Sequence, residues 1–163
     1  GLLLDAAKEL RDPRVRFLIW GDGDEREALQ QRVAEENISN VVFKGRVEKK
    51  YVPYITSCAD LNIAHNTPSS LFRFGISFNK LFDYLAAGKP VLSDFPCPYN
   101  PAVLLHASLC VDDPTAQNIA QAVTQVAAME REQYNELCSN AEKAAVEYDF
   151  RNVTNKLLQV ING

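Results

Sequence analysis

The sequence predicts an α/β fold with a doubly wound parallel sheet, and two patterns support this prediction. Five short apolar runs recur along the 163 residues, and they are mostly continuous rather than alternating in polarity. Such runs are typical of strands that are covered on both faces. Amphipathic segments separate the runs, and repeated strand–helix units favour right-handed crossovers. The expected architecture is three layers with additional C-terminal helices.

The order of strands and helices follows the apolar pattern. Helices are expected over 2–10, after a capping box of Asp24 and Glu27, over 54–58, and from a Ser77 cap to Gly88. The last third is also expected to be helical. The strands are predicted at 16–20, 40–44, 61–64, 90–92 and 109–111.

Four helices are each expected to have one apolar face. The residues of these faces are Ala28, Leu29 and Val33 in the first, Ile119, Val123, Val126 and Ala127 in the second, Leu137, Ala141 and Ala144 in the third, and Val153, Leu157 and Ile161 in the fourth.

The composition favours one ordinary globular domain that spans 1–163. Hydrophobic residues make up 47% and charged residues 23%, which excludes general disorder. No apolar run approaches the ~18–20 residues of a membrane helix. The net charge is −4 and the pI about 5.2, and no basic stripe is present, so nucleic acid is not an expected partner.

The four cysteines and two histidines predict no metal centre. No two cysteines have C-x-x-C spacing, and two distant histidines are too few for a zinc site. Cys58 and Cys110 lie in apolar surroundings, so we expect them to be buried core residues. His106 follows two leucines and is expected to be structural and partly buried. This cysteine usage fits a reducing, cytoplasmic location.

Two segments lack a regular pattern. Gly21-Asp22-Gly23-Asp24 follows the first strand, but Arg26 stands where the third glycine of a G-x-G-x-x-G fingerprint would be, so a plain tight turn is preferred. Residues 65–77, with Pro68 and Gly75, form a loop of about a dozen residues. Loops of that length in compact domains are often functional. His65 ends the third strand, at the edge where α/β domains bind ligands.

The start of the fourth helix has the features of an anion site. The free N–H groups of a first helical turn, together with Lys80, suit a phosphate group. Asp83 projects from a similar face, where a carboxylate can accept hydrogen bonds from sugar or ribose hydroxyls. A plainer interpretation stays open: a helix capped by Ser77, with Lys80 and Asp83 as a surface pair.

The run from Gly75 to Pro90, GISFNKLFDYLAAGKP, resembles the signature of family 4 (group 1) glycosyltransferases, in their second Rossmann-like domain. Enzymes of that family have two such domains facing a cleft, the GT-B fold. The resemblance covers nearly the whole chain, because further segments resemble the family in the same order, at 2–10, 17–23, 41–47, 51–64 and 148–153.

The resemblance implies that this domain binds a nucleotide-sugar donor, which is a substrate, so no cofactor is expected. The diphosphate would be bound at Gly75, Ile76 and Ser77, with Lys80 as the charge partner. Asp83 stands where the family has a ribose-binding glutamate.

The base-contacting loop of the family corresponds to Gly45, Arg46 and Val47. This loop follows the second strand, which agrees with ligand binding beyond the carboxyl ends of parallel strands.

One departure from the family pattern concerns the sugar. Gly75 replaces a glutamate that contacts the donor sugar in the family, so other groups must meet the sugar hydroxyls. His65, Arg73 and Ser77 are the candidates.

A second departure concerns completeness. The family's phosphate-binding arginine and lysine precede the first helix and are absent from 1–163, and the chain begins on a helix where a β–α–β domain should begin on a strand. We therefore expect a fragment that lacks its first strand and the N-terminal acceptor domain. We expect it to be inactive alone.

The implied reaction of the full-length protein is sugar transfer from a nucleoside diphosphate with retention of configuration, in glycan or cell-surface polysaccharide synthesis. The sequence shows no nucleophile or general base, so we assign no catalytic residue. Association with the inner face of a membrane would come through the missing half. Two alternatives stay open: a nucleotide-sugar epimerase of the same fold, and a non-enzymatic interaction domain with acidic pairs Asp22 and Asp24, and Asp112 and Asp113, at strand ends.

Overall fold

The computed structural model describes residues 1–67 and 69–162, and within them five parallel strands form two sheets. The strands are β1 (Phe17–Trp20), β2 (Val41–Gly45), β3 (Asn62–Ala64), β4 (Val91–Ser93) and β5 (Ser108–Cys110). One sheet pairs β1 with β2, and the other has the order β3-β4-β5. All five predicted strands are therefore confirmed, and they form two sheets rather than one.

Eight α-helices occur in the described residues, and each connection between successive strands contains at least one. They are α1 (Leu2–Glu9), α2 (Arg26–Glu35), α3 (Val52–Ser57), α4 (Asn79–Ala86), α5 (Pro101–Leu104), α6 (Ala116–Ala127), α7 (Arg131–Glu147) and α8 (Phe150–Asn162). Short 3-10 helices span Lys49–Tyr51 and Ser70–Phe74, the second inside the predicted long loop; Pro68 of that loop lies outside the described residues. No described helix is long and apolar enough to cross a membrane.

Two predicted helix caps are wrong. Helix α2 begins at Arg26 with Glu25 as its N-cap, because a turn from Gly23 O to Arg26 N (3.0 Å) carries the chain beyond Asp24 first. Helix α4 begins at Asn79 with Phe78 as its N-cap, so Ser77 does not cap it. The predicted helix end is confirmed, since Gly88 adopts φ +63° directly after α4.

The first core cluster packs α1 and α6 against both sheets. Leu4 from α1 and Ile119 from α6 are buried together with Phe17, Val41 and Leu92 from three strands. Val123 and Val126 of the predicted α6 face are buried, whereas Ala127 is exposed. Because one cluster includes strands of both sheets, the two sheets share a core.

The second core cluster holds the segment before α4. The rings of Phe72, Phe78 and Phe95 pack against one another with centroids 5.0 to 5.9 Å apart. Leu81 and Leu85 of α4 complete the contact with the sheet. The second half of the long loop is therefore anchored by Phe72, which is buried, and by Phe78, which follows the loop and is partly buried.

Several burial predictions are wrong. Cys58 and Cys110 are exposed, because Cys58 is the C-cap residue of α3 and Cys110 ends the edge strand β5; Cys97 is the buried cysteine. His106 is exposed as well. In α2 the predicted face is only partly buried at Leu29 and Val33, with Ala28 exposed. No residue of α8 is buried, so its predicted apolar face at Val153, Leu157 and Ile161 is exposed.

We predict that Phe72→Ala lowers the free energy of unfolding by about 3–5 kcal/mol, because it removes a buried ring and leaves a cavity. Phe74→Ala is the matched control, since Phe74 lies in the same 3-10 helix but is 71% exposed, against 9% for Phe72. Urea unfolding of both variants measures the difference. Equal losses of stability would contradict the role given to the aromatic cluster.

Candidate functional site

Three polar residues meet at the carboxyl edge of the β3-β4-β5 sheet. His65 follows β3, Asp94 follows β4, and Lys80 lies in the first turn of α4. The parallel register pairs Ala64 with Ser93, so the next residues of the two strands, His65 and Asp94, come out side by side. This is the edge at which open α/β sheets bind ligands.

The Asp94 carboxylate is completely buried and uses both oxygens. His65 Nδ1 is hydrogen-bonded to Asp94 Oδ2, and the backbone N–H of Asn66 donates to Oδ1 (3.1 Å). The side chain of Asp94 is 0% exposed, whereas that of His65 is 37% exposed. A buried carboxylate is costly unless it is hydrogen-bonded, so this arrangement couples the ends of β3 and β4.

Lys80 joins this group through the backbone. Its ammonium donates a hydrogen bond to the carbonyl oxygen of His65 (2.8 Å) and lies 5.8 Å from the centroid of the Phe78 ring. Partial burial lowers the pKa of Lys80, and the negative charge of Asp94 opposes this shift. Among the described residues Lys80 forms no ion pair with Asp83, so the surface-pair interpretation is wrong.

The start of α4 has no side-chain cap. The N–H of Leu81 donates to the carbonyl oxygen of Phe78 (2.9 Å), whereas the N–H groups of Asn79 and Lys80 keep their capacity to bind an anion. Gly75 precedes the helix with φ +114° and ψ +176°, a combination that is essentially restricted to glycine. Ile76 is half-buried against the second core cluster, and Ser77 is exposed. The N–H of Gly75 donates a hydrogen bond to the carbonyl oxygen of Phe72 (3.1 Å), which corrects its predicted role as a diphosphate donor. Among the described residues, the N–H groups of Ile76 and Ser77 make no backbone hydrogen bond and stay available.

The predicted ribose and sugar contacts differ in their surroundings. Asp83 is half-buried on α4 and makes no side-chain hydrogen bond with the described residues, and its charge adds to burial in raising the pKa of Tyr84. Arg73 is exposed, and its guanidinium lies 4.6 Å from the centroid of the Phe74 ring. Of the predicted sugar contacts, His65 is the one that the structure brings beside Lys80.

The predicted base loop lies at the end of the other sheet. Gly45 is buried with φ +74°, and its carbonyl accepts a hydrogen bond from Gly21 N–H (2.9 Å). A Cβ at Gly45 would lie 3.6 Å from the guanidinium of Arg26, which pairs with Asp22. Arg46 is exposed and Val47 half-buried. The loop after β2 therefore contacts the turn after β1.

The acidic pairs that suggested a non-enzymatic interaction domain follow strands of different sheets. Asp22 and Asp24 follow β1, whereas Asp112 and Asp113 follow β5 at the far edge of the other sheet. They do not form one acidic cluster. Within residues 1–67 and 69–162 no group of three or more potential ligands could hold a metal ion.

Two site residues were missed by the sequence analysis. Asp94 directly follows the predicted strand at 90–92, so the strand-end rule that singled out His65 applies to it as well. Arg26 was considered only as a broken glycine position, although it contributes a guanidinium beside Gly45. Its contact joins residues 19 positions apart, and periodicity alone does not reveal such contacts.

The comparison with protein families agrees with this geometry. The family described as "Glycosyl transferases group 1" matches residues 1–144. The chain belongs to this family. A search of curated proteins finds no match.

Solved structures of similar fold include group 1 glycosyltransferases of the GT-B type. Anabaena HepE in complex with UDP and glucose aligns with a TM-score of 0.75 and 19% identity, over 99% of this chain and 44% of that one. Sucrose-phosphate synthase from Thermosynechococcus elongatus aligns with a TM-score of 0.78 and 17% identity, over 99% and 41%. WaaG, a glycosyltransferase of lipopolysaccharide biosynthesis, aligns with 0.71 and 16%, over 98% and 42%. The chain spans less than half the length of these proteins and shares their Rossmann-like half.

We predict that Gly75→Ala in this group 1 glycosyltransferase domain costs about 1–3 kcal/mol of stability, because a side chain is strained at this φ and ψ. The space itself is not the obstacle, since the added Cβ would lie 3.7 Å from Tyr99 Cβ. Gly23→Ala is the control, because Gly23 has no positive φ and open space around it. Thermal unfolding compares the two; a Gly75 variant as stable as the Gly23 variant would show that the loop tolerates a side chain.

Proposed function

We propose that the chain is the donor-binding half of a retaining glycosyltransferase that moves a sugar from a nucleoside diphosphate to an acceptor. The observation that carries the proposal is the family match over residues 1–144 together with the uncapped start of α4 and Lys80 at the carboxyl edge of the sheet. Structures of similar fold were solved with UDP and with UDP-glucose, so these are the first ligands to test. Lipopolysaccharide biosynthesis by WaaG supports a cell-surface glycan as the product.

The binding roles follow the geometry of α4. The N–H groups of Ile76 and Ser77 and the ammonium of Lys80 would bind the diphosphate. Gly75, whose N–H donates to the carbonyl oxygen of Phe72, would shape the loop that presents them. Asp83, half-buried and without a hydrogen-bond partner in the described residues, would accept from the ribose hydroxyls.

The base would lie in the loop after β2. Gly45, buried with φ +74°, shapes the turn beside the Arg26 guanidinium, and Arg46 and Val47 follow as exposed and half-buried side chains. Donor binding would thus extend from the end of β2 to the start of α4, along the carboxyl ends of the strands.

The chemical contribution of these residues is electrostatic. During transfer the bond between the anomeric carbon and the diphosphate oxygen breaks, and its electron pair goes to the diphosphate. A bond to the acceptor oxygen forms, and the acceptor hydroxyl gives up its proton to the departing diphosphate. Negative charge grows on the departing diphosphate. The start of α4 and Lys80 would stabilise that charge, since preorganised donors cost no reorganisation when the bond breaks.

The divided sheet supports the proposal that a further strand belongs to this domain. Both β1 and β3 are paired with a neighbouring strand along one edge only. Phe17 of β1 belongs to the first core cluster, and Ile63 of β3 packs against the same cluster. One parallel strand inserted between them would give the order 3-2-1-4-5-6 of doubly wound dinucleotide-binding folds. The acceptor domain would precede that strand and supply the rest of the enzyme. A cytoplasmic location, at the inner face of a membrane through the missing half, belongs to the same proposal.

Hydrogen exchange tests the inserted strand. Phe17 N–H and Asn62 N–H donate within the two sheets, so the next amides, Leu18 and Ile63, point to the unpaired edges. We predict that the amides of Leu18 and Ile63 exchange much more slowly in the full-length protein than in this chain. Phe17 and Asn62, protected in both, are the reference amides. Equal exchange of Leu18 and Ile63 in the two proteins would contradict an inserted strand.

Nucleotide binding tests the donor site. We predict that titration with UDP, GDP or ADP shifts amide NMR signals at 45–47 and 75–83, and that Lys80→Ala weakens binding roughly threefold to tenfold, in a salt-sensitive manner. Lys143→Ala is the control, because Lys143 is exposed on α7, away from the sheet edge. Shifts confined to other regions would refute the site. An unchanged affinity of Lys80→Ala would make this lysine a mere surface residue.

A further inference from the structure

The buried carboxylate of Asp94 has no part in the donor contacts proposed above, yet it is the most completely enclosed charged group at the sheet edge. Its side chain is 0% exposed. Oδ1 is used by the N–H of Asn66 and Oδ2 by the ring of His65. Because the backbone already satisfies one oxygen, the other is available to fix the orientation of the imidazole ring.

We propose that Asp94 is a positioning residue that holds Nδ1–H of His65, so that Nε2 accepts a hydrogen bond from a hydroxyl group of the donor sugar. The inference rests on the proposed function and assigns the residue pair that meets the sugar. It concerns a hydrogen bond in the bound complex and involves no proton transfer.

The hydrogen bond to Asp94 determines which ring nitrogen is the acceptor. An ionised carboxylate only accepts hydrogen bonds, so Nδ1 must carry the proton on that side of the ring. In the neutral ring Nε2 then has a free lone pair. Within the described residues Nε2 of His65 makes no hydrogen bond, and it is not among the buried atoms that lack a partner. The exposed 37% of this side chain therefore includes an acceptor without a partner in the structure.

The position of the ring favours a sugar hydroxyl over the diphosphate as its partner. Lys80, the proposed diphosphate ligand, donates a hydrogen bond to the backbone carbonyl oxygen of His65. The imidazole belongs to the same residue, so it lies next to the proposed phosphate site. The sugar is covalently attached to that diphosphate. A lone-pair nitrogen repels phosphate oxygens but accepts from hydroxyl groups. Gly75, which precedes the helix, has no side chain that could provide such an acceptor.

The tautomer of His65 tests the positioning role without any ligand. Nitrogen-15 NMR at about pH 8, where free imidazole is neutral, should show protonated Nδ1 in His65. His106 is the second histidine of the chain, so His106→Gln assigns the signals. Asp94→Asn should reverse the tautomer, because Oδ1 keeps the bond to Asn66 and the amide N–H then faces the ring. A proton on Nε2 in the unchanged protein would overturn the proposal, and this measurement stands even where Asp94→Asn fails to fold.

Paired ligands test the sugar contact. Calorimetry or NMR gives Kd for UDP and UDP-glucose, and also for GDP with GDP-mannose and ADP with ADP-glucose. For the pair that binds, we expect the ratio of the nucleotide-sugar Kd to the nucleotide Kd to rise about threefold to tenfold in Asp94→Asn and His65→Ala. The ratio should stay unchanged in His106→Ala, a surface control.

The outcomes separate the two proposals. An unchanged ratio in both site variants, with nucleotide binding retained, would overturn the sugar contact and leave the proposed function standing. Equal weakening of nucleotide and nucleotide sugar would place His65 on the diphosphate and also overturn it. Failure of the unchanged protein to bind any of the six ligands would refute the proposed function itself, and the sugar contact with it.

Discussion

The packing of Phe72, Phe78 and Phe95 is the interaction on which the candidate site depends. These rings come from the 3-10 helix of the long loop, from the N-cap of α4 and from the residue after Asp94, and their centroids are 5.0 to 5.9 Å apart. Burial of three aromatic side chains supplies the free energy that orders the loop. The same apolar contact therefore positions the helix start, whose polar groups stay available for a ligand, and the end of β4, where the buried Asp94 carboxylate holds His65.

The same contact explains why the fold was easier to predict than its helix ends. The strands and most helices follow from continuous or periodic apolar residues, and the structure confirms them within a few residues. The preference of serine for N-cap positions is worth about 1 kcal/mol. Packing of the partly buried Phe78 ring against Phe72 and Phe95 outweighs it, so α4 begins two residues after Ser77. The predicted burial of Cys58 and Cys110 was wrong for a related reason. Apolar neighbours in the sequence do not reveal which side of a strand or helix faces the core.

Sequence predicted those residues of the candidate site whose position depends on a single strand or helix. His65 at a strand end and Lys80 at a helix start were found from sequence, and the structure brings them within hydrogen-bond distance through the His65 carbonyl. The hydrogen bond between His65 and Asp94 joins residues 29 positions apart. To predict it, one must know the register in which β3 pairs with β4. Register of parallel strands depends on the crossover and the core, and no local pattern encodes it. The roles of Asp83 and the 45–47 loop came from family resemblance alone.

Backbone conformation at Gly75 connects these observations to specificity. At φ +114° and ψ +176° any residue other than glycine is strained. A side chain at position 75 would therefore destabilise this loop conformation by about 1–3 kcal/mol. The loop shape in turn follows from the aromatic cluster, because Phe72 and Phe78 fix the chain on both sides of Gly75. A hydrogen-bond acceptor for the sugar must then come from another element. The carboxyl ends of β3 and β4 are the adjacent elements, and Asp94 holds His65 there. In the proposed complex, packing in the core would thus decide which part of the sheet edge meets the sugar.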